Sequence, residues 1–308
     1  MTLSSYHKEG GSLPEGIILK GIGGFYYIKT ADRLYECKAR GVFRKDKITP
    51  LPGDRVRISV VDEEKLIGNI DEIHERSSEL VRPAIANVTQ LAIVVAAKSP
   101  NPDFELLDKL LISASIQGIK AIICINKIDL DEDSTYQRIS EAYGKAHYKC
   151  LPLSSVKDIG FEKLREELKD NITVFAGQSG VGKSTILNKI MKTMVMETGS
   201  ISDRIERGKH TTRHAELLYL EEGGLIADTP GFSTMELPDI KCEELSLYYH
   251  EFDNLTGKCK YTGCSHISEP GCIVKEALER SMIDTQRYER YIKFYNLLKL
   301  NKKYNKKV

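Results

Sequence analysis

Residues 177–184 read Gly-Gln-Ser-Gly-Val-Gly-Lys-Ser, the full G-x-x-x-x-G-K-[ST] pattern. The string follows the apolar run Ile-Thr-Val-Phe-Ala (172–176) and opens a segment of helical character beginning Lys-Ser-Thr-Ile-Leu. A strand, a glycine-rich turn and a helix in immediate succession constrain the fold more than any other feature of the chain. Glycine permits backbone conformations in which successive N–H groups converge on one anion, and the helix N-terminus adds a positive dipole end. The backbone of Gly177, Gln178, Ser179, Gly180, Val181 and Gly182 would therefore cradle phosphates. Lys183 would reach the outer phosphates, the Ser184 hydroxyl would ligate Mg²⁺, and Thr185 completes the string.

The text on both sides agrees. From Gln90 onward, apolar runs alternate with helix-period segments of about ten residues, the signature of a parallel sheet with crossover helices. Leu225–Ala227 leads into Asp228-Thr229-Pro230-Gly231. An Asp after a buried strand can hold Mg²⁺, and the Gly231 N–H can sense a γ-phosphate. Asn126-Lys127-Ile128-Asp129 follows Ala-Ile-Ile-Cys-Ile and resembles the N-K-x-D element of GTPases. Asp129 would accept from guanine N1–H and the exocyclic amine, a donor pair that adenine lacks. Lys127 would lie across the base and Asn126 would brace the loop. Ser154 and Ser155, at the end of the next predicted strand, resemble the element that contacts guanine O6. GTP or GDP with Mg²⁺ is the ligand these motifs select together.

Their order is unusual. N-K-x-D precedes the phosphate loop and D-T-P-G comes last, whereas most GTPases begin with the phosphate loop. A circular permutation accounts for this, with a helix at 161–169 bridging the old termini. The segment after D-T-P-G then connects directly to the C-terminal region. Nucleotide-dependent ordering is expected in 197–213 and 229–240. Between the motifs, Thr212, with Thr211 as the neighbouring alternative, would place a hydroxyl on Mg²⁺. Phe232 stands where many small GTPases carry a water-orienting Gln, so His210 becomes the internal candidate for that role.

The flanks differ from this core. Residues 16–73 contain about five short β-rich segments separated by turn signals, with no helical period, which suits an OB-type barrel or an SH3-like one. Cys259, Cys264, His266 and Cys272 offer three thiolates and an imidazole within fourteen residues. A Cys₃His set closes a tetrahedral sphere, so a structural Zn²⁺ is expected.

Together the strings NKID, GQSGVGKST, RGKHTTR, DTPGF and CKYTGCSHISEPGC resemble the RsgA (YjeQ/YloQ) family of ribosome small-subunit-dependent GTPases, over nearly the whole chain. The resemblance implies a multidomain α/β protein. An N-terminal OB-type β-barrel (1–75) would precede a circularly permuted P-loop GTPase domain with a mostly parallel sheet (78–236). A C-terminal helical zinc-binding domain (240–308) would follow. It also implies a late factor in 30S assembly that binds the small subunit and its 16S rRNA, hydrolyses GTP there and leaves in the GDP state. The alternative is a zinc-stabilised RNA-binding protein using GTP as a structural ligand.

Composition qualifies the partner. The 308 residues carry 45 Lys plus Arg against 44 Asp plus Glu, which argues against a nucleic-acid ligand only if charge is evenly spread. Residues 38–57 hold seven basic against two acidic residues, and 287–308 hold eight against one. Both stretches are candidates for an rRNA-facing surface. The aromatics Tyr288, Tyr291, Phe294 and Tyr295 fall at helical spacing and read as core contacts of a terminal helix. The longest apolar run, Leu91–Ala97, is too short to span a bilayer, and no secretory signal opens the sequence. A cytoplasmic protein with no membrane partner, monomeric, is the expectation.

Overall fold

A computed structural model describes residues 13–45, 48–81, 83–198, 215–220, 223–228 and 235–305. The chain divides into two compact units, 1–87 with 212–218, and 88–211 with 219–308.

The first unit is built on a closed five-stranded barrel. β1 (Glu15–Ile22), β2 (Phe25–Thr30), β3 (Leu34–Ala39), β4 (Arg55–Asp62) and β5 (Ile67–Ile73) close in the order β1-β2-β3-β5-β4. β3 and β5 run parallel while the other pairs are antiparallel, which resolves the barrel as OB-like. Alternation sends Ile28, Tyr35, Cys37, Val56, Ile58 and Ile70 inward. Ile18 joins them, and a bulge between Ile18 and Lys20 breaks the alternation of β1. Between β3 and β4 lies a short helix, α1 (Gly41–Lys45), which sends Phe43 into the barrel core. Five residues are too few to display a helical period, which is why the sequence shows none there. A hairpin of β6 (Glu79–Val81) and β7 (Ala84–Ala86) follows. Fully buried Asp54 anchors the segment leading into it, accepting from Arg76 Nε (2.7 Å) and Nη2 (2.8 Å).

A six-stranded sheet follows. Its strands are β8 (Gln90–Ala96), β9 (Lys120–Asn126), β10 (Lys149–Pro152), β11 (Ile172–Ala176), β12 (Glu216–Tyr219) and β13 (Leu225–Asp228), in the order β10-β9-β8-β11-β13-β12. The pairs β10/β9, β9/β8, β8/β11 and β11/β13 are parallel. Every residue of β8 and β11 is buried, as expected of central strands covered on both faces. The crossovers are α2 (Phe104–Ile116), α3 (Thr135–Lys145) and α4 (Phe161–Leu168), and α5 (Lys183–Thr198) follows β11. From β8 the chain winds outward through β9 to β10, then α4 returns it to β11 on the opposite side of β8. The β8/β11 boundary is therefore the point where strand order reverses, and the crevice beyond their carboxyl ends is the natural ligand position.

The C-terminal part contains two 3-10 segments (Cys242–Tyr248 and His250–Phe252), α6 (Ile273–Glu279) and the 21-residue α7 (Thr285–Asn305). Tyr288, Tyr291 and Phe294 pack into a core with Leu245, Tyr249 and Phe252, as their spacing predicts. Ile112 of α2 packs into the same core.

One expectation is corrected here. Arg287 is not a surface charge awaiting phosphate: it is 1% exposed. Its Nε donates to Glu251 Oε1 at 2.5 Å and its Nη1 to Asp108 of α2. Arg290 also pairs with Asp108, and Tyr143 Oη donates to Asp108 at 2.8 Å. The Arg287 guanidinium lies 4.7 Å from the Tyr249 ring centroid, 5.1 Å from Tyr143 and 5.5 Å from Tyr148. Among the described residues no helix is long and apolar enough to cross a membrane.

Breaking a buried ion pair from one side leaves an uncompensated charge and costs about 3–5 kcal/mol. Arg287→Met, which leaves buried Glu251 without its cation and Asp108 with Arg290 and Tyr143 alone, is expected to destabilise the second unit by that order. Arg287→Lys is expected to recover little, because one ammonium cannot reproduce the two-sided fork. Urea unfolding monitored by tyrosine fluorescence checks both.

Candidate nucleotide site and metal centre

The phosphate loop leaves β11 at Gly177, where φ is 134° and a Cβ would stand 2.1 Å from the Val94 carbonyl oxygen of β8. Only glycine lets the loop pass this close to the neighbouring strand. At Gly182 φ is 98°, and a Cβ would stand 2.4 Å from Asn126 Nδ2. Glycine here leaves room for Asn126, whose Nδ2 donates to the Val181 carbonyl at 2.9 Å. Lys127, itself left-handed at φ 61°, donates from Nζ to the Gly180 carbonyl at 2.8 Å and to Ser99. The N-K-x-D loop and the phosphate loop, 51 positions apart at Asn126 and Gly177, are thus one hydrogen-bonded assembly.

Lys183 Nζ donates to the carbonyls of Gly177 (2.6 Å) and Gln178 (2.8 Å), and burial lowers its pKa. A partly desolvated ammonium at the mouth of a helix N-terminus favours a polyanion strongly. Ser184 and Thr185 are exposed in the first turn of α5. On the base side, Ser154 Oγ donates to Asp129 Oδ1 at 2.5 Å and Ser155 Oγ to Asn126 Oδ1 at 3.4 Å. Asn126 and Ser154 are buried. The structure therefore brings together Asn126, Lys127, Asp129, Ser154, Ser155 and the loop 177–185. Asp228 closes β13. His210, Thr211, Thr212 and Gly231 lie outside the described residues.

The cysteine cluster assembles as well. The ligand atoms of Cys259, Cys264, His266 and Cys272 all lie within 4.8 Å of one another. Cys259 and Cys272 Sγ are 3.6 and 3.5 Å from His266 Nδ1, and 3.9 Å from each other. A tetrahedron with Zn–S of about 2.3 Å and Zn–N of about 2.0–2.1 Å has S···S edges near 3.8 Å and S···N edges near 3.6 Å. The donors thus fit zinc in both type and spacing. Burial, aided by the adjacent thiols of Cys272 and Cys259, pushes the Cys264 thiol up to about 12. Only a bound cation would hold this group as a thiolate. The loop is held from behind. Tyr288 and Tyr291 hydroxyls donate to the His266 and Ser265 carbonyls at 2.6 and 2.8 Å. Glu269 accepts from the amides of Ser265, Ile267 and Ser268 and from the Ser265 hydroxyl. Although burial opposes it, those bonds bring the Glu269 carboxyl down to about 2.

The residues that sequence reasoning missed are Gly182 as clearance for Asn126, and Tyr288 and Tyr291 as supports of the metal loop. The first was readable only once both loops were known to touch. Two outcomes are expected. Gly182→Ala should abolish measurable GDP binding in a fluorescent-nucleotide titration, a loss of about 100-fold or more, because both φ and Asn126 are violated. Purified protein should contain one zinc per chain by metal analysis, and Cys272→Ser should lose it and lower the unfolding temperature.

Comparison with known proteins agrees with this geometry. The family described as RsgA GTPase matches residues 73–238, and the RsgA N-terminal domain matches residues 15–67. A protein of Ruminiclostridium cellulolyticum named small ribosomal subunit biogenesis GTPase RsgA is 63% identical, covering 92% of this chain and 93% of its own. One of the same name from Clostridium novyi is 49% identical, covering 91% and 95%. Among solved structures, YloQ, described as a circularly permuted GTPase, superposes with a TM-score of 0.80 at 38% identity, covering 97% of this chain and 99% of its own. YjeQ from Thermotoga maritima gives 0.79 at 34%, covering 92% and 98%. With the N-K-x-D loop bonded to the phosphate loop in permuted order behind an OB-like barrel, the chain belongs to the RsgA family of GTPases.

Proposed function

We propose that this GTPase acts in biogenesis of the small ribosomal subunit, binding the 30S particle and hydrolysing GTP to GDP and phosphate to time its own release. The observation that carries the nucleotide half is the direct bonding of Asn126 and Lys127 to the phosphate loop. That bonding supports reading Asp129 as the guanine-selective carboxylate, since its loop and the phosphate loop are joined directly. The relatives' names support the ribosomal half. Asp129 reads the base edge, with Lys127 across its face. Lys183 and the loop amides hold the phosphates, and Ser184, Asp228 and Thr212 hold Mg²⁺. His210 orients the attacking water.

We divide the labour among three segments. Residues 1–75 contact 16S rRNA, 78–236 carry the GTPase chemistry, and 240–308 form a zinc-stabilised platform for docking on the subunit. On the barrel, Lys38 Nζ sits 5.0 Å from the Phe25 ring centroid, and Ile22 of the same hairpin is 52% exposed. Cation, ring and exposed apolar tip suit phosphate and an unstacked base. In the tail, Arg287 is buried and Arg290 is paired with Asp108, so the lysines that follow in the sequence supply the remaining basic character. The protein acts as a cytoplasmic monomer.

Single-turnover hydrolysis should be slow for the free protein and rise on adding isolated small subunits. His210→Ala should cut the stimulated rate by about 10²-fold or more, the usual contribution of a positioned acid or base. Wild-type rates for that variant would remove His210 from the mechanism, and no stimulation by subunits would remove the ribosomal reading. Sedimentation of the GTP-analogue complex with isolated subunits tests binding separately.

A further inference from the structure

In the function proposed above, two loops face the base. The first, at 126–129, is tied to the phosphate loop by Asn126 and Lys127. The second, at 154–159, follows β10 and closes on itself. Ser154 and Ile159 exchange N–H···O bonds, each 3.1 Å, and the Lys157 amide donates to Ser154 Oγ at 3.0 Å. Its tip residue Val156 is 84% exposed, so packing does not hold the tip in place.

Lys189 of α5 reaches this loop from the phosphate side. Its Nζ donates to the Ser155 carbonyl at 3.1 Å, pairs with Asp158 Oδ1 at 2.9 Å and lies 5.0 Å from the centroid of the Phe161 ring. Asp158 is held left-handed, at φ 57°. Lys189 stands six positions after Lys183 on the same helix, about 9 Å along its axis. One helix therefore presents phosphate ligands at its first turn and grips the second base loop less than two turns later.

We propose that Lys189 is a positioning residue for guanine recognition. It fixes the 154–158 turn against α5, so the Ser155 peptide is held at the base edge by the same helix that binds the phosphates. This rests on the reading that residues 154–155 face guanine. A purely structural role fits the geometry less well. The ion pair is largely solvent-facing on its Asp158 side, where exposed pairs add little to global stability. Its geometric effect is local, tying to α5 a loop whose other bonds are internal or go to Asn126. Loss of the ammonium should shorten nucleotide residence without altering the chemistry, because Lys189 bonds the 154–158 turn rather than the phosphate loop.

The test uses the full chain and fluorescent GDP in stopped flow. Lys189→Met should release GDP about tenfold faster. KM for GTP should rise by a similar factor, while kcat at saturating GTP stays within about twofold. Lys189→Arg, which can still meet a carbonyl and a carboxylate, should restore slow release. Asp158→Asn, which keeps the Ser155 contact, should give a smaller increase in the same direction. Wild-type release from Lys189→Met, failure of the Arg variant to rescue, or a fall in kcat matching the rise in KM would each overturn the proposal. If Lys189→Met does not fold, wild-type release from Asp158→Asn overturns it. Asp129→Asn separates the premises. If that variant keeps wild-type GDP affinity, the guanine site itself is misassigned. If it weakens GDP while Lys189→Met does not, only the brace fails.

Discussion

The second unit depends on one guanidinium. Arg287 is sealed among three tyrosine rings and meets two carboxylates that arrive from distant parts of the chain, Asp108 from α2 and Glu251 from the C-terminal 3-10 turn. A charge in such surroundings is tolerable only if every partner is in place, so the node fixes α2, α3 and α7 relative to one another. Both ends of this frame bear on function. The first turns of α2, through Asp103, Leu106 and Leu107, line a small cavity shared with Gly177, Gln178 and Val181 of the phosphate loop. One and four residues beyond Arg287, Tyr288 and Tyr291 hold the backbone of the metal loop. The same buried pair therefore sets the spacing between phosphate loop and metal centre.

That geometry limits how a nucleotide signal can travel. Permuted order makes the segment after D-T-P-G the covalent lead into the C-terminal domain, which suggests a domain swinging on a tether. The node and the shared core residue Ile112 oppose such a swing, because it would expose Asp108 and Arg287 unpaired. A few kcal/mol of differential nucleotide binding is too little to separate them and also reorganise the core. The node instead ties α2, α3 and the C-terminal elements into one body.

Legibility in the sequence followed the range of the interaction. Motifs whose chemistry lies within a few residues, such as Gly177–Ser184, Asn126–Asp129 and Cys259–Cys272, were readable because spacing alone specifies the ligand. The barrel strands and the alternating strand–helix core were readable from period. Arg287 was misread as surface charge because counting charges carries no information about burial. A signal did exist at the other end of the pair. Asp108 sits in Leu-Leu-Asp-Lys-Leu-Leu-Ile, on the helix face shared with Leu111 and Ile112, and a carboxylate on an apolar stripe requires a buried cation. Nothing local said which of the 45 basic residues supplied it. The short α1 and the clearance at Gly182 were hidden for the same reason, since each is defined by a neighbour remote in sequence.

Permutation explains why the node exists where it does. In this chain α4 carries the connection from the edge strand β10 back to central β11, so β8 and α2 become the first elements of the sheet domain. A first helix has no preceding crossover to pack it from the chain's own N-terminal side. Its outer face must find a partner elsewhere, and α7 supplies one through Ile112, Asp108 and Glu105. The C-terminal domain thus completes the GTPase fold rather than decorating it. Removing residues 240–308 should leave α2 with an exposed apolar face and an unpaired Asp108, so a truncated GTPase core would lose stability before it lost any catalytic group.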